Sequence, residues 1–200
     1  MIWEVNPINY PMITDTSTTS GPPVPYAGTW LAWLGGRNNA DDQLFQQFPL
    51  DENVSGAELS YFVWVGTDET GGQSFDHLYV RLRDSDGNFI REIDHIDNTF
   101  AYPRQWHEQY FQLNDWATWN GQQLQISFEA TTDVSKVTNF YLDQISITTT
   151  CGGTFQARQP APNGTASAKT GPEPVKPTLA VPLQPAPRPA NSRPTPLPYP

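Results

Sequence analysis

The chain has 200 residues, with 11 Lys/Arg against 21 Asp/Glu and a single cysteine, which bounds it to one domain of ordinary size plus an appendage. The lone Cys151 excludes an internal disulfide and a cysteine metal cluster, and no apolar run of about 18 residues is present, which excludes a membrane-spanning helix. The net charge of −10 is unevenly spread: residues 1–152 carry −14 and residues 153–200 carry +4, and a domain so acidic repels phosphate backbones, so nucleic acid is excluded as a partner.

In chain order, Met1-Ile2-Trp3-Glu4 lacks the basic start and apolar stretch of a signal peptide, so any export signal is expected outside this chain. Residues 5–28 hold five prolines and a Thr/Ser run and read as irregular. Strand text then begins with Thr29–Leu34, closed by Gly35-Gly36, and continues with Gln43–Phe48, closed by Pro49. Ala57–Val65 places Leu59, Tyr61, Val63 and Val65 at period two, and His77–Arg83 alternates Leu78, Val80 and Leu82 with Tyr79, Arg81 and Arg83. Asp86-Gly87 signals a hairpin, because this pair accepts positive φ at low cost, and Phe89–His95 is its return strand. Trp106–Leu113, Gln123–Ala130 and Thr138–Thr149 complete a set of eight strands with almost no helical periodicity. That pattern predicts an all-β, two-sheet antiparallel jelly-roll sandwich over residues 1–152. Residues 153–200, with 13 prolines in 48 positions, read as a disordered Pro-rich tail or linker.

Several segments in this order resemble a known family. They are Ala32-Trp33-Leu34-Gly35-Gly36, Asn38-Asn39-Ala40-Asp41-Asp42-Gln43-Leu44-Phe45-Gln46-Gln47, Leu59-Ser60-Tyr61-Phe62, Phe75–Leu82 and Phe140-Tyr141-Leu142-Asp143-Gln144-Ile145. Together they are similar to bacterial galactose-binding-like and MAM-like jelly-roll modules, which are appended to secreted peptidases and other extracellular proteins. The resemblance covers about residues 3–151. It implies extracellular or cell-surface use, structural Ca²⁺ and no catalytic residues of the module's own. Such modules usually begin with a further strand before the Trp at which this chain opens, so the resemblance leads one to expect the domain to lack its first strand and to carry an exposed sheet edge.

Two groups of candidate site residues follow. Calcium takes six to eight hard oxygens from carboxylates, Asn amides and carbonyls. The Gly35–Asp42 loop can offer Asn38, Asp41 and Asp42, and Asp143 is a carboxylate within an apolar strand that needs a cation or donors nearby. The resemblance points to these residues as a calcium site, with Asp76 as a further candidate; the alternative is that the loop carboxylates cap a turn and Asp143 meets Arg or backbone N–H groups. The second group is aromatic. Phe62, Trp64, Tyr79 and Tyr110 alternate away from the apolar sets of their strands and, beside Arg81, Arg83 and Glu108, could stack on sugar rings and hydrogen-bond hydroxyls, or instead pack on a loop or a neighbouring domain. Trp30, Trp33, Trp106, Trp116 and Trp119 read as core and rim packing. His77, His95 and His107 are scattered and lack metal-ligand spacing, and no nucleophile elbow or phosphate loop is present, so an enzyme is not expected. The expected role is a non-catalytic, calcium-stabilised accessory domain of a secreted bacterial protein such as a peptidase, with the other domains of that protein as partners. The alternative is a carbohydrate-binding or adhesion module on a Pro-rich stalk, whose partner is a glycan or cell-surface polymer.

Overall fold

A computed structural model describes residues 3–7, 12–15 and 22–151 of the chain. Ten strands form among these residues: β1 (Glu4–Asn6), β2 (Ile13–Asp15), β3 (Trp30–Gly35), β4 (Asp41–Pro49), β5 (Val54–Thr67), β6 (His77–Asp84), β7 (Phe89–Asp97), β8 (His107–Leu113), β9 (Gln123–Thr131) and β10 (Thr138–Cys151). They make two five-stranded sheets, in the orders β1-β4-β9-β6-β7 and β2-β3-β10-β5-β8, and the strand pairs are antiparallel. The all-β sandwich expected from the alternation is therefore the architecture, and the eight strands read in the sequence are β3 to β10. The proposed tail at 153–200 lies outside the described residues.

Alternation dictates the core. Leu44 and Phe48 of β4, Leu78, Val80 and Leu82 of β6, and Leu124, Ile126, Phe128 and Ala130 of β9 point inward from the first sheet. They meet Ala32, Leu34, Leu59, Tyr61, Val63, Val65, Phe140 and Leu142 of the second. Phe128 stands edge-on to Tyr61 across the interface, with ring centroids 5.1 Å apart, a favoured aromatic geometry. Tyr61 carries a polar tip into this apolar row, and its hydroxyl donates to Asp94 Oδ2 of β7 at 2.6 Å. Burial first, and the adjacent Asp94 carboxylate second, push the Tyr61 phenol well above its ordinary pKa.

Two features depart from the sequence reading and a third sharpens it. Segment 5–28, read as irregular, contributes the short strand β2, and β1 begins just before it. Strand β1 pairs with the Gln43–Phe45 stretch of β4, in the register Glu4↔Phe45, Val5↔Leu44 and Asn6↔Gln43, so this part of the β4 edge is covered rather than bare. Strands of three residues carry too little alternation to be read against prolines. A single 3₁₀ turn at Trp116–Trp119 buries Trp116 against Phe48, placing in the core a Trp that the sequence assigned to core or rim packing.

Candidate functional site on the outer face of the first sheet

The register of the first sheet assembles one polar face from four strands. Gln43 of β4 lies opposite Glu129 of β9, which lies opposite Tyr79 of β6, which lies opposite His95 of β7. The next row is Phe45, Ser127 and Arg81, and the next is Gln47, Gln125, Arg83 and Phe89. Alternation puts all of these on the side away from the core.

Glu129 organises this face. Its two carboxylate oxygens accept from Arg81 Nη1 at 2.6 Å and from Arg83 Nε at 2.7 Å, and the Ser127 hydroxyl donates to it at 2.6 Å. Burial would raise the Glu129 pKa, but the hydrogen bonds from Ser127, Arg83 and Arg81 and the Arg83 charge outweigh it and hold the carboxyl below its ordinary value. Arg83 Nη1 also donates to the Gly87 carbonyl of the β6–β7 hairpin at 2.9 Å, and the Arg81 guanidinium lies 4.2 Å from the centre of the Tyr79 ring. Two clefts open here and share Gln43 and Arg83. One of about 330 Å³ is bordered by Asn6, Asp41, Tyr79, Arg81 and Glu129. The other, of about 500 Å³, is bordered by Phe45, Gln47, Gln125 and the 85–87 turn. The surface thus offers fixed cationic donors, amide groups that both donate and accept, and an aromatic ring along one trough.

The five aromatic-site candidates divide between two faces. Tyr79 and Arg81 belong to the trough. Phe62, Trp64 and Tyr110 lie on the outer face of the second sheet, where Phe62 pairs with Glu108, and Tyr110 with Ser60. There the chain itself crosses the aromatic row. Tyr26 stacks on Phe62 at 3.6 Å between centroids, the Val24 carbonyl accepts from Trp106 Nε1 at 2.9 Å, and the Ala27 amide donates to Asp143 Oδ2 at 3.0 Å. Trp64 leans edge-on to Tyr141 at 5.3 Å and lies over Gly66, where a Cβ would come within 2.3 Å of the indole. Its ring is half-buried against its own sheet.

The carboxylate candidates also part company. Asp42 is buried; its oxygens accept from Arg37 Nη1 and Nη2 at 3.0 and 2.6 Å, and one also accepts from the Gly35 amide at 2.9 Å. Asp143, on the other sheet, accepts from the Ala27 and Gln144 amides; burial raises its pKa against the pull of those bonds. Asn38 Nδ2 donates to the Val134 carbonyl, and Asp41 is exposed opposite Thr131. Asp76 differs. It is fully buried, Oδ1 accepts from the Asp133 amide at 2.8 Å, and Oδ2 has no hydrogen-bond partner. Among the described residues, no three His, Cys, Asp or Glu side chains stand close enough to share a metal ion. Asn38, Asp41, Asp42 and Asp76 share one end of the sandwich, and Asp143 is apart from them.

Gln43, Gln47, Gln125 and Glu129 were not singled out in the sequence as site residues, whereas Arg83 was read there as a hydrogen-bonding neighbour of the aromatics. Their period-two spacing marks them as outward-facing, but only the strand order brings them side by side.

No protein-family model matches the sequence, and no curated protein matches it. Solved structures do match. The module TmCBM61, solved in complex with β-1,4-galactotriose, superposes with a TM-score of 0.50 at 10% identity, over 74% of this chain and 88% of that one. The K1 cleaved adhesin domain of Lys-gingipain from Porphyromonas gingivalis W83 gives 0.49 at 14% identity, over 76% and 91%. The C-terminal family 22 carbohydrate-binding module of Clostridium thermocellum Xyn10B gives 0.43 at 16%, over 77% and 88%. At 10% identity the likeness to the galactotriose-bound module is one of fold. The chain is a β-sandwich module with the architecture on which that carbohydrate-binding module is built.

Proposed function

We propose that this domain is a non-catalytic carbohydrate-binding module and that its binding surface is the trough on the outer face of the β1-β4-β9-β6-β7 sheet. The observation that carries this reading is the row of Gln43, Glu129 and Tyr79 beside Arg81 and Arg83. A pyranose presents a rim of hydroxyls, which fixed groups that donate and accept hold at its edge; Tyr79, with Arg81 at 4.2 Å and His95 at 4.5 Å from its ring centre, contributes its hydroxyl edge rather than a free face. The Glu129 clamp fixes both guanidinium groups before any ligand arrives, which lowers the ordering cost of binding. On the opposite side of the sandwich, Tyr26 already occupies the place over Phe62 that a sugar would take. The module serves a larger secreted or cell-surface protein by holding it on polysaccharide; a parent peptidase fits the same role.

The test is a soluble-glycan panel beginning with β-1,4-galactan, the polymer of the sugar in the TmCBM61 complex, followed by a glycan array. Tyr79→Ala and Arg83→Ala are expected to abolish retention in affinity electrophoresis, and Trp64→Ala to leave it unchanged. Absence of binding across the array, or loss with Trp64→Ala alone, overturns the assignment.

A structural Ca²⁺ remains part of the proposal, now centred on Asp76. A buried carboxylate oxygen without a partner is costly, and a cation bound there through this oxygen and loop carbonyls would satisfy it. Asp42 and Asp143 are already answered by Arg37 and by backbone amides.

A further inference from the structure

Beside the trough, the sheet register brings together two histidines that lie 18 residues apart in the sequence. His77 on β6 and His95 on the edge strand β7 are diagonal neighbours, since His77 pairs with Asp97, and Tyr79 with His95. His77 Nδ1 and His95 Nε2 are 2.9 Å apart. Both side chains are accessible, His95 more so. The Tyr79 ring stacks on His95 at 4.5 Å and on His77 at 5.7 Å, which sets the orientation of the pair. Close by, the Ser74 hydroxyl lies 3.5 Å from His77 Nδ1 and donates to Asp97 Oδ2 at 2.6 Å.

We propose that His77 Nδ1 and His95 Nε2 form a two-nitrogen surface site for a divalent late transition-metal ion, Cu²⁺ above all. Two imidazole nitrogens bound at about 2.0–2.1 Å in adjacent positions of a square-planar ion stand about 2.9 Å apart, whereas tetrahedral coordination sets them about 3.3–3.4 Å apart. The observed 2.9 Å is the length of an N–H···N hydrogen bond in the metal-free pair, and it also suits the tetragonal geometry that Cu²⁺ and Ni²⁺ favour, so the two rings need not separate to bind such an ion. Without metal, one nitrogen donates its proton to the other. With metal, both lone pairs face the ion; the ring that donated gives up the shared proton and takes one from solvent on its other nitrogen, so each imidazole binds as the neutral form, and water fills the remaining positions. Asp97 places a carboxylate on the same edge and adds favourable charge. Neither histidine borders the clefts assigned to sugar, so the site stands whether or not the trough binds glycan.

The experiment is Cu²⁺ titration of the tag-free full chain, followed by calorimetry and by electron paramagnetic resonance. One equivalent is expected to give a tetragonal signal with hyperfine splitting from two nitrogens. His77→Gln and His95→Gln are each expected to weaken this binding by about ten-fold or more, in line with the loss of a metal-site group. His107→Gln, whose ring stacks on Tyr102 elsewhere, is expected to leave it unchanged. Binding that persists in the His77→Gln/His95→Gln double variant overturns the assignment. If a variant fails to fold, the wild-type spectrum decides, since a signal with one nitrogen or none overturns it equally.

Discussion

Glu129→Gln removes one negative charge from the centre of the trough while keeping the side chain's shape. In the wild type this carboxylate receives contacts at 2.6 Å from Arg81 Nη1, at 2.7 Å from Arg83 Nε and Nη2, and at 2.6 Å from Ser127. Hydrogen bonds to charged groups contribute about 1.5–3 kcal/mol each. The Arg81 and Arg83 side chains remain 25% and 18% exposed, so solvent screening takes back much of that, and Gln retains one acceptor. A net loss of about 2 kcal/mol follows, or roughly 4–8 °C in melting temperature for a domain of this size. The sign with pH is fixed by the depressed Glu129 pKa: the stabilisation is present above the unfolded value of about 4.3 and is lost as pH falls through the lower folded value. Wild type and variant, melted side by side at pH 7 and at the lowest pH where both stay folded, should differ at the first and converge at the second. Equal melting temperatures at pH 7, or a gap that survives acidification undiminished, would refute the reasoning. Glycan retention should fall in the same variant, because two unclamped guanidinium groups must be ordered on binding.

Tyr26→Ala should cost about 1 kcal/mol from the lost ring stack on Phe62 and expose Trp106 to a soluble fluorescence quencher, without change in glycan retention; unaltered quenching argues against the strap across this face. Millimolar Ca²⁺ at ten times its dissociation constant should add roughly 1.4 kcal/mol of stability, and Asp76→Asn should remove that increment in thermal melts. An increment that survives in Asp76→Asn, or none in the wild type, rejects the Asp76 site.

The sandwich was legible because alternation is a local signal. Leu78, Val80 and Leu82 announce an inward face in consecutive residues, and the same reading named Tyr79 and Arg81 as outward. What alternation does not carry is which sheet a strand joins. Phe62, Trp64, Tyr79 and Tyr110 were grouped as one platform because each points away from the core, yet two sheets have two outer faces. The trough depends on β9 lying between β4 and β6, a neighbour relation that spans more than 80 residues from Gln43 to Glu129. The histidine pair was missed for the same reason, since separation along the chain hid a diagonal contact across a hairpin. Asp143 shows the converse. Its need for a partner was readable from an apolar strand, but the partner, an amide at Ala27, belongs to a segment without periodicity.

The Tyr61–Asp94 hydrogen bond joins the interior strand β5 of one sheet to the edge strand β7 of the other. Apolar side chains across a sandwich interface resist separation but tolerate small sliding, because dispersion contacts can be exchanged for similar ones. A 2.6 Å hydroxyl–carboxylate bond admits no such exchange. It acts as a shear pin, so, on the proposed reading, a pull applied through the outer face of the first sheet passes to the second without a change of registry between them.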